Sequence, residues 1–127
     1  MSATPITVTA VNRVPMSAFL AQPASAAIDA ASGNAIAVPI ADWDRILLEF
    51  TNTSAGAKSV TIKGAGGLSD ALMPDLVQSL AANEVRYAHV NKLHFRQGDG
   101  TILVNYSAGM SGTVRGFVLP TPTPNQV

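Results

Sequence analysis

From Trp43 onward, apolar and polar residues alternate with a period of two. In "RILLEFT", Ile46, Leu48 and Phe50 fall on one face, with Arg45, Leu47, Glu49 and Thr51 on the other. "KSVTIK" turns Val60 and Ile62 inward between Lys58 and Lys63. "EVRYAHV" sets Val85, Tyr87 and His89 against Arg86, Ala88 and Val90. "TILVNY" places Ile102, Val104 and Tyr106 together, and "TVRGFVL" places Val114 and Val118 on one side of Arg115 and Phe117. Alternation over such runs predicts half-buried β-strands. Turn residues separate them at Asn52–Ala57, Gly64–Gly67, Ala81-Ala82-Asn83, Gln97–Gly100 and Gly109–Gly112.

Short strands at this spacing, joined by glycine-rich turns, predict an all-β fold: a single-domain antiparallel β-sandwich of jelly-roll type. Helix competes only in "SDALMPDLVQSLAANE", where Ser69 is a fitting cap but Pro74 breaks the run. At most one short turn before Asp75 is expected there. Gln97–Gly100 lies between "KLHF" and "TILVNY", so Asp99-Gly100 reads as a hairpin turn needing positive φ.

Charge divides the chain into three. Residues 1–41 carry only Arg13 and Asp29 and are rich in Ala, Ser and Pro. They read either as an extended N-terminal arm laid on a surface or as irregular strands. Residues 42–119 are the sandwich body. Residues 120–127 have no charge and alternate prolines, which favours an extended tail. If the first segment is an arm, Ile6, Val8, Val11, Phe19 and Leu20 are its apolar anchors and the candidate partner-binding residues. Its prolines lower the entropy lost on docking.

At 127 residues the chain suits one domain, able to bury about two-thirds of its unfolded surface. Eight basic and eight acidic residues leave a formal net charge of zero, so there is no electrostatic footprint for nucleic acid. The absence of cysteine removes disulfides and thiolate metal sites. The N-terminus lacks a basic region followed by an apolar run, and "VPMSAFLAQPASAAI" is too broken by proline and serine to span a bilayer. No membrane partner is expected. Asn52-Thr53-Ser54 and Asn105-Tyr106-Ser107 match a glycosylation triplet but carry little weight without an export signal.

Candidate chemistry is sparse. His89 and His94 have no third ligand at metal-site spacing. Asp42 and Asp44 imitate a carboxylate pair, yet two acids so close at a strand's start form a solvated turn more readily than an acid–base couple. "KGAGG" at 63–67 lacks the Lys-Ser/Thr and helix of a phosphate loop. "GMSG" at 109–112 misses the nucleophile-elbow pattern, because Thr113 stands where its last glycine belongs. Asp99 alone cannot make a calcium loop. The reading is non-enzymatic, with no catalytic, metal or cofactor residues.

"WDRILLEFTNTSAGAKSVTIKGAGG", "DLVQSLAANEVRYAHV" and "FRQGDGTILVNYSAGMSGTVRGFVLP" together resemble small structural proteins of tailed bacteriophages, specifically head decoration (cement) proteins. The resemblance covers Trp43 to Pro120, about three-fifths of the chain. It implies a virion protein on the capsid exterior, made in the host cytoplasm. Its partners would be the major capsid protein and further copies of itself in a homotrimer, and it would brace the shell against internal DNA pressure. Two alternatives stay open: a minor tail or tail-fibre module, and a carbohydrate-binding β-sandwich stacking sugars on Trp43, Tyr87 and Tyr106.

Overall fold

The computed structural model describes residues 3–10, 25–37, 46–64, 74–90, 95–97 and 100–118. They form a β-sandwich of ten strands: β1 (Thr4–Thr7), β2 (Thr9–Ala10), β3 (Ala26–Ala27), β4 (Asn34–Ala37), β5 (Ile46–Asn52), β6 (Lys58–Ile62), β7 (Leu76–Leu80), β8 (Val85–Val90), β9 (Thr101–Tyr106) and β10 (Gly112–Val118). One sheet runs β1-β4-β9-β6-β7 and the other β2-β10-β5-β8, with β3 also paired to β10.

The period-two pattern is what packs these sheets. Ile46, Leu48 and Phe50 of β5 meet Val60 and Ile62 of β6, Ile102, Val104 and Tyr106 of β9, and Val114 and Val118 of β10 in one buried core. Each of those alternations is therefore a strand with its apolar face turned to the opposite sheet. On β8 the inward set is Arg86, Ala88 and Val90, which lie opposite Phe50, Leu48 and Ile46.

Three features depart from the pattern reading. Of the two forms open for residues 1–41, the described ones take strands, and Ile6 and Ile36 join the core. Two pairs are parallel rather than antiparallel, β1 with β4 and β2 with β10. The chain leaves one sheet after β1 and returns at β4 by way of β2 and β3, and so long a crossover permits parallel pairing. Finally, β7 is a strand in a stretch to which no strand is assigned above. The short turn considered before Asp75, up to residue 73, and the tail at 120–127 lie outside the described residues.

The turns match their chemistry. Gly100 has φ of 85° and donates its N–H to the Gln97 carbonyl at 3.0 Å, while Gln97 N–H bonds Thr101 O at 2.8 Å. Arg96 bridges Ile102 next to this turn. Gly98 and Asp99 themselves lie outside the described residues. Asn83, the last residue of the Ala81-Ala82-Asn83 signal, holds φ of 65°.

Two buried asparagines brace the ends of the sandwich. Asn34 accepts the Tyr106 hydroxyl at 2.6 Å and donates to Thr4 O at 3.3 Å. Asn52 donates to Gly56 O and Leu80 O at 3.0 Å and to Ala81 O at 3.2 Å. Its own Oδ1 accepts Ser54 N–H at 2.9 Å. This buried amide is fully engaged, so the Asn52 triplet offers no acceptor for a glycan.

Replacing Asn52 with alanine strips those carbonyls of their donor and is expected to cost on the order of 3 kcal/mol. Urea unfolding should record this as a lower midpoint with an unchanged m-value. Gly100→Val should cost on the order of 1 kcal/mol, because the side chain meets the positive φ. Gly56→Ala, which has open space at its Cβ, serves as the near-neutral control.

Candidate functional site

The two flanks of the sandwich are built differently. On one, Val8 alone joins β1 to β2 and so carries the chain between sheets. It packs over Gly116, where a Cβ would sit 2.6 Å from Val8 Cγ1. Glycine in the middle of β10 is the local adaptation to that close approach. On the other flank, β7 ends one sheet and β8 ends the other, linked by residues 81–84. No described strand covers either outer edge.

This second flank gathers every exposed large apolar side chain among the described residues: Leu76 (44% exposed), Val77 (59%), Val85 (45%) and Tyr87 (58%). Between the sheets it opens as a cleft of about 320 Å³. Phe50, Val60, Ile62 and Leu80 form its floor, with Gln78 and Arg86 contributing polar groups. β7 reads Leu-Val-Gln-Ser-Leu, with neither charge nor proline inside the strand, although exposed Pro74 and Asp75 directly precede it. Natural sheets usually blunt an edge with such residues, since bare backbone groups template pairing with another chain.

The outer face of β10, β5 and β8 carries a polar network. The register sets Arg115 opposite Glu49 and Glu49 opposite Tyr87. Arg115 pairs with Glu49, and the Tyr87 hydroxyl donates to Glu49 Oε2 at 2.7 Å. Glu49 is only 7% exposed although its strand face points outward. That hydrogen bond, reinforced by the Glu49 charge, raises the Tyr87 hydroxyl above its ordinary pKa. The next row sets Phe117 opposite Leu47 and Leu47 opposite His89. The Tyr87 ring is thus exposed yet anchored at its hydroxyl.

The residues singled out from the sequence separate. Ile6 is buried in the core and Val8 is half-buried against it. Val11, Phe19, Leu20, Trp43, Asp42, Asp44 and His94 lie outside the described residues. Tyr106 cannot stack on a sugar. Its ring packs edge-on against Phe50, with centroids 6.4 Å apart, and burial pushes its hydroxyl pKa well up. His89 stands exposed on β8. Among the described residues, no group of three or more His, Cys, Asp or Glu is placed to hold a metal ion. Gly64 N–H is bonded to Asp75 Oδ1 at 2.8 Å, which ties the start of "KGAGG" to the residue before β7, while residues 65–67 of that motif lie outside the described residues. In "GMSG", Met110 is buried and Ser111 N–H donates to Ser54 Oγ at 2.9 Å, which docks the turn on its neighbour.

The exposed flank went unread in the sequence. Its one signal is an uncharged strand-forming run beside a well-patterned one. No protein-family profile, curated protein or solved structure matches the chain.

Three carboxylates near this and the opposite end make stability pH-dependent. The Ala81 N–H, then Arg86, hold Glu84 below its ordinary 4.5. Lys63, then the Gly64 N–H, hold Asp75 below 3.8, and the Thr4 hydroxyl, then the Ser32 N–H, do so for Asp29. Folded values below the unfolded ones mean the contribution is complete above the unfolded pKa and is lost as pH falls through the folded one. The thermal midpoint should be flat down to about pH 5 and fall below that. The double variant Asp75→Asn, Glu84→Gln should show a shallower acid decline in the same scan.

Proposed function

We propose that this chain is a non-catalytic structural protein of a tailed-bacteriophage head, a decoration protein on the outer surface of the shell that bridges major capsid protein subunits. The observation that carries the reading is the placement of Leu76, Val77, Val85 and Tyr87 on two edge strands that no described strand covers. Val77 lies on the outer face of one sheet and Val85 and Tyr87 on that of the other, so what these positions share is a pair of edges with no described neighbour, and such an edge accepts an added strand. The orders β3-β10-β5-β8 and β4-β9-β6-β7 are what a jelly-roll winding produces, an architecture common among viral capsid domains. The resemblance over Trp43–Pro120 points the same way. Val11, Phe19 and Leu20 are proposed as further contacts to the shell.

A second reading, a carbohydrate-binding sandwich, draws on Tyr87 alone, whose exposed ring stands on a flat sheet face. Aromatic rings of this kind stack on sugars as well as on protein.

Co-sedimentation separates these readings. The purified protein is expected to pellet with genome-free heads of the phage that carries it, and to stay in the supernatant with isolated tails. Val77→Lys combined with Val85→Lys should reduce head binding at least about tenfold while leaving the circular dichroism spectrum unchanged. Binding to tails, or to a glycan array in a Tyr87-dependent manner, would replace the head assignment.

A further inference from the structure

We propose that β7 pairs antiparallel with β7 of a second copy of this chain, about a twofold axis at Gln78. This goes beyond the head assignment: it gives the β7 edge to a second copy rather than to the shell, and a twofold pair in place of the homotrimer that the resemblance implies.

Backbone parity identifies which groups face the open edge. Ser107 N–H donates to Ser59 O at 3.0 Å and Lys63 N–H donates to Leu103 O at 2.9 Å, so Ser59, Thr61 and Lys63 turn their backbone toward β9. Val60 therefore turns toward β7, and its partner Gln78 turns back toward β6. Val77 and Ser79 are left with their N–H and C=O groups directed away from the sheet. Among the described residues, only the Ser79 carbonyl finds a donor there, and that donor is the neighbouring Gln78 side chain at 2.8 Å.

The sequence of this edge complements itself. With Gln78 opposite Gln78 of the second copy, Val77 falls opposite Ser79, and those two residues exchange N–H···O bonds on each side of the axis. Leu76 falls opposite Leu80, on the inward side of the sheet. No residue of Leu76–Leu80 is charged, so no like charges meet in this register. Leu76, Gln78 and Leu80 line the interlayer cleft, and pairing covers its mouth with the same residues of the second copy. The axis crosses both layers, so it also draws the two β8 edges toward each other, with Val85 and Tyr87 on the outer face of their sheet. Zero net charge on the chain adds no long-range repulsion between copies. A five-residue edge is small beside the ~800 Å² per partner of a standard interface, so association is weak and concentration-dependent.

The register gives a specific test on the full chain. Gln78→Lys and Gln78→Glu each place like charges face to face and should weaken self-association in sedimentation equilibrium by about fivefold. An equimolar mixture of the two should restore it. Gln78 is exposed, so both variants should keep the parent's thermal midpoint at low concentration. The native chain has no cysteine, so Gln78→Cys introduces a single thiol. In a non-hydrogen-bonded antiparallel pair the two Cα atoms lie about 4.5 Å apart, within reach of a disulfide. Air oxidation should link two Gln78→Cys chains far faster than two Ser79→Cys chains, whose residues are not opposite. A strictly monomeric protein, a threefold assembly, or charge variants whose mixture does not regain association would overturn the proposal.

Discussion

The hydrogen bonds of Asn52 are the constraint on which the β7–β8 end of this sandwich depends. The residue closes β5, and its buried amide reaches the 53–56 turn and the crossover after β7 at once. Its backbone adds to the junction: Asn52 N–H bonds Glu84 O at 3.0 Å, and Asn83 N–H bonds Asn52 O at 2.7 Å. β7 and β8 each have a single described neighbour, β6 and β5 respectively. Edge strands held by one ladder fray readily. A buried polar hub at their shared turn keeps the two edges in place where no other described strand flanks them. A polar group serves here better than an apolar one because it fixes direction as well as distance.

The contrast between flanks follows from how the chain changes sheets. At Val8 the crossing occurs along the sandwich side and fills the space that Gly116 leaves. β2 and β3 then share the outer edge of β10, one parallel and one antiparallel, so that edge is covered over most of its length. At the β7–β8 flank the crossing occurs beyond the strand ends, through residues 81–84. The sheets there are separated along their edges, and the cleft is the consequence.

Polar interactions in the body act as structure. Arg115, Glu49 and Tyr87 tie three strands together in a row across an outer face. Glu49 is shielded by the partners that satisfy it, which is the condition under which a carboxylate is tolerated at low exposure. Surface chemistry is therefore concentrated in strand edges and apolar side chains. On the reading proposed above, recognition comes from backbone pairing and shape, and the side chains of β7 and β8 set what can pair.

Strands β5, β6, β9 and β10 were legible in the sequence because each buries an alternating apolar set and keeps mostly polar, largely half-buried residues between them. The same holds for the Gly100 and Asn83 turns, whose backbone demands are local. β7 was not legible: Leu76 and Val77 are adjacent, four of its five residues are exposed, and no burial dictates an alternation. β1 and β4 were only half legible, since Ala35 and Ala37 give a faint pattern and the core role of Ile6 depends on a parallel partner thirty residues away. Of the candidate contact residues, Ile6 read as an anchor because an apolar side chain in an uncharged segment looks alike whether it packs inward or outward. Periodicity thus determined that the chain is all-β and which faces are apolar. Tertiary structure decided which strands end the described sheets, because an edge is defined by the neighbour a strand lacks, and the uncharged run of β7 is only a faint local sign of that.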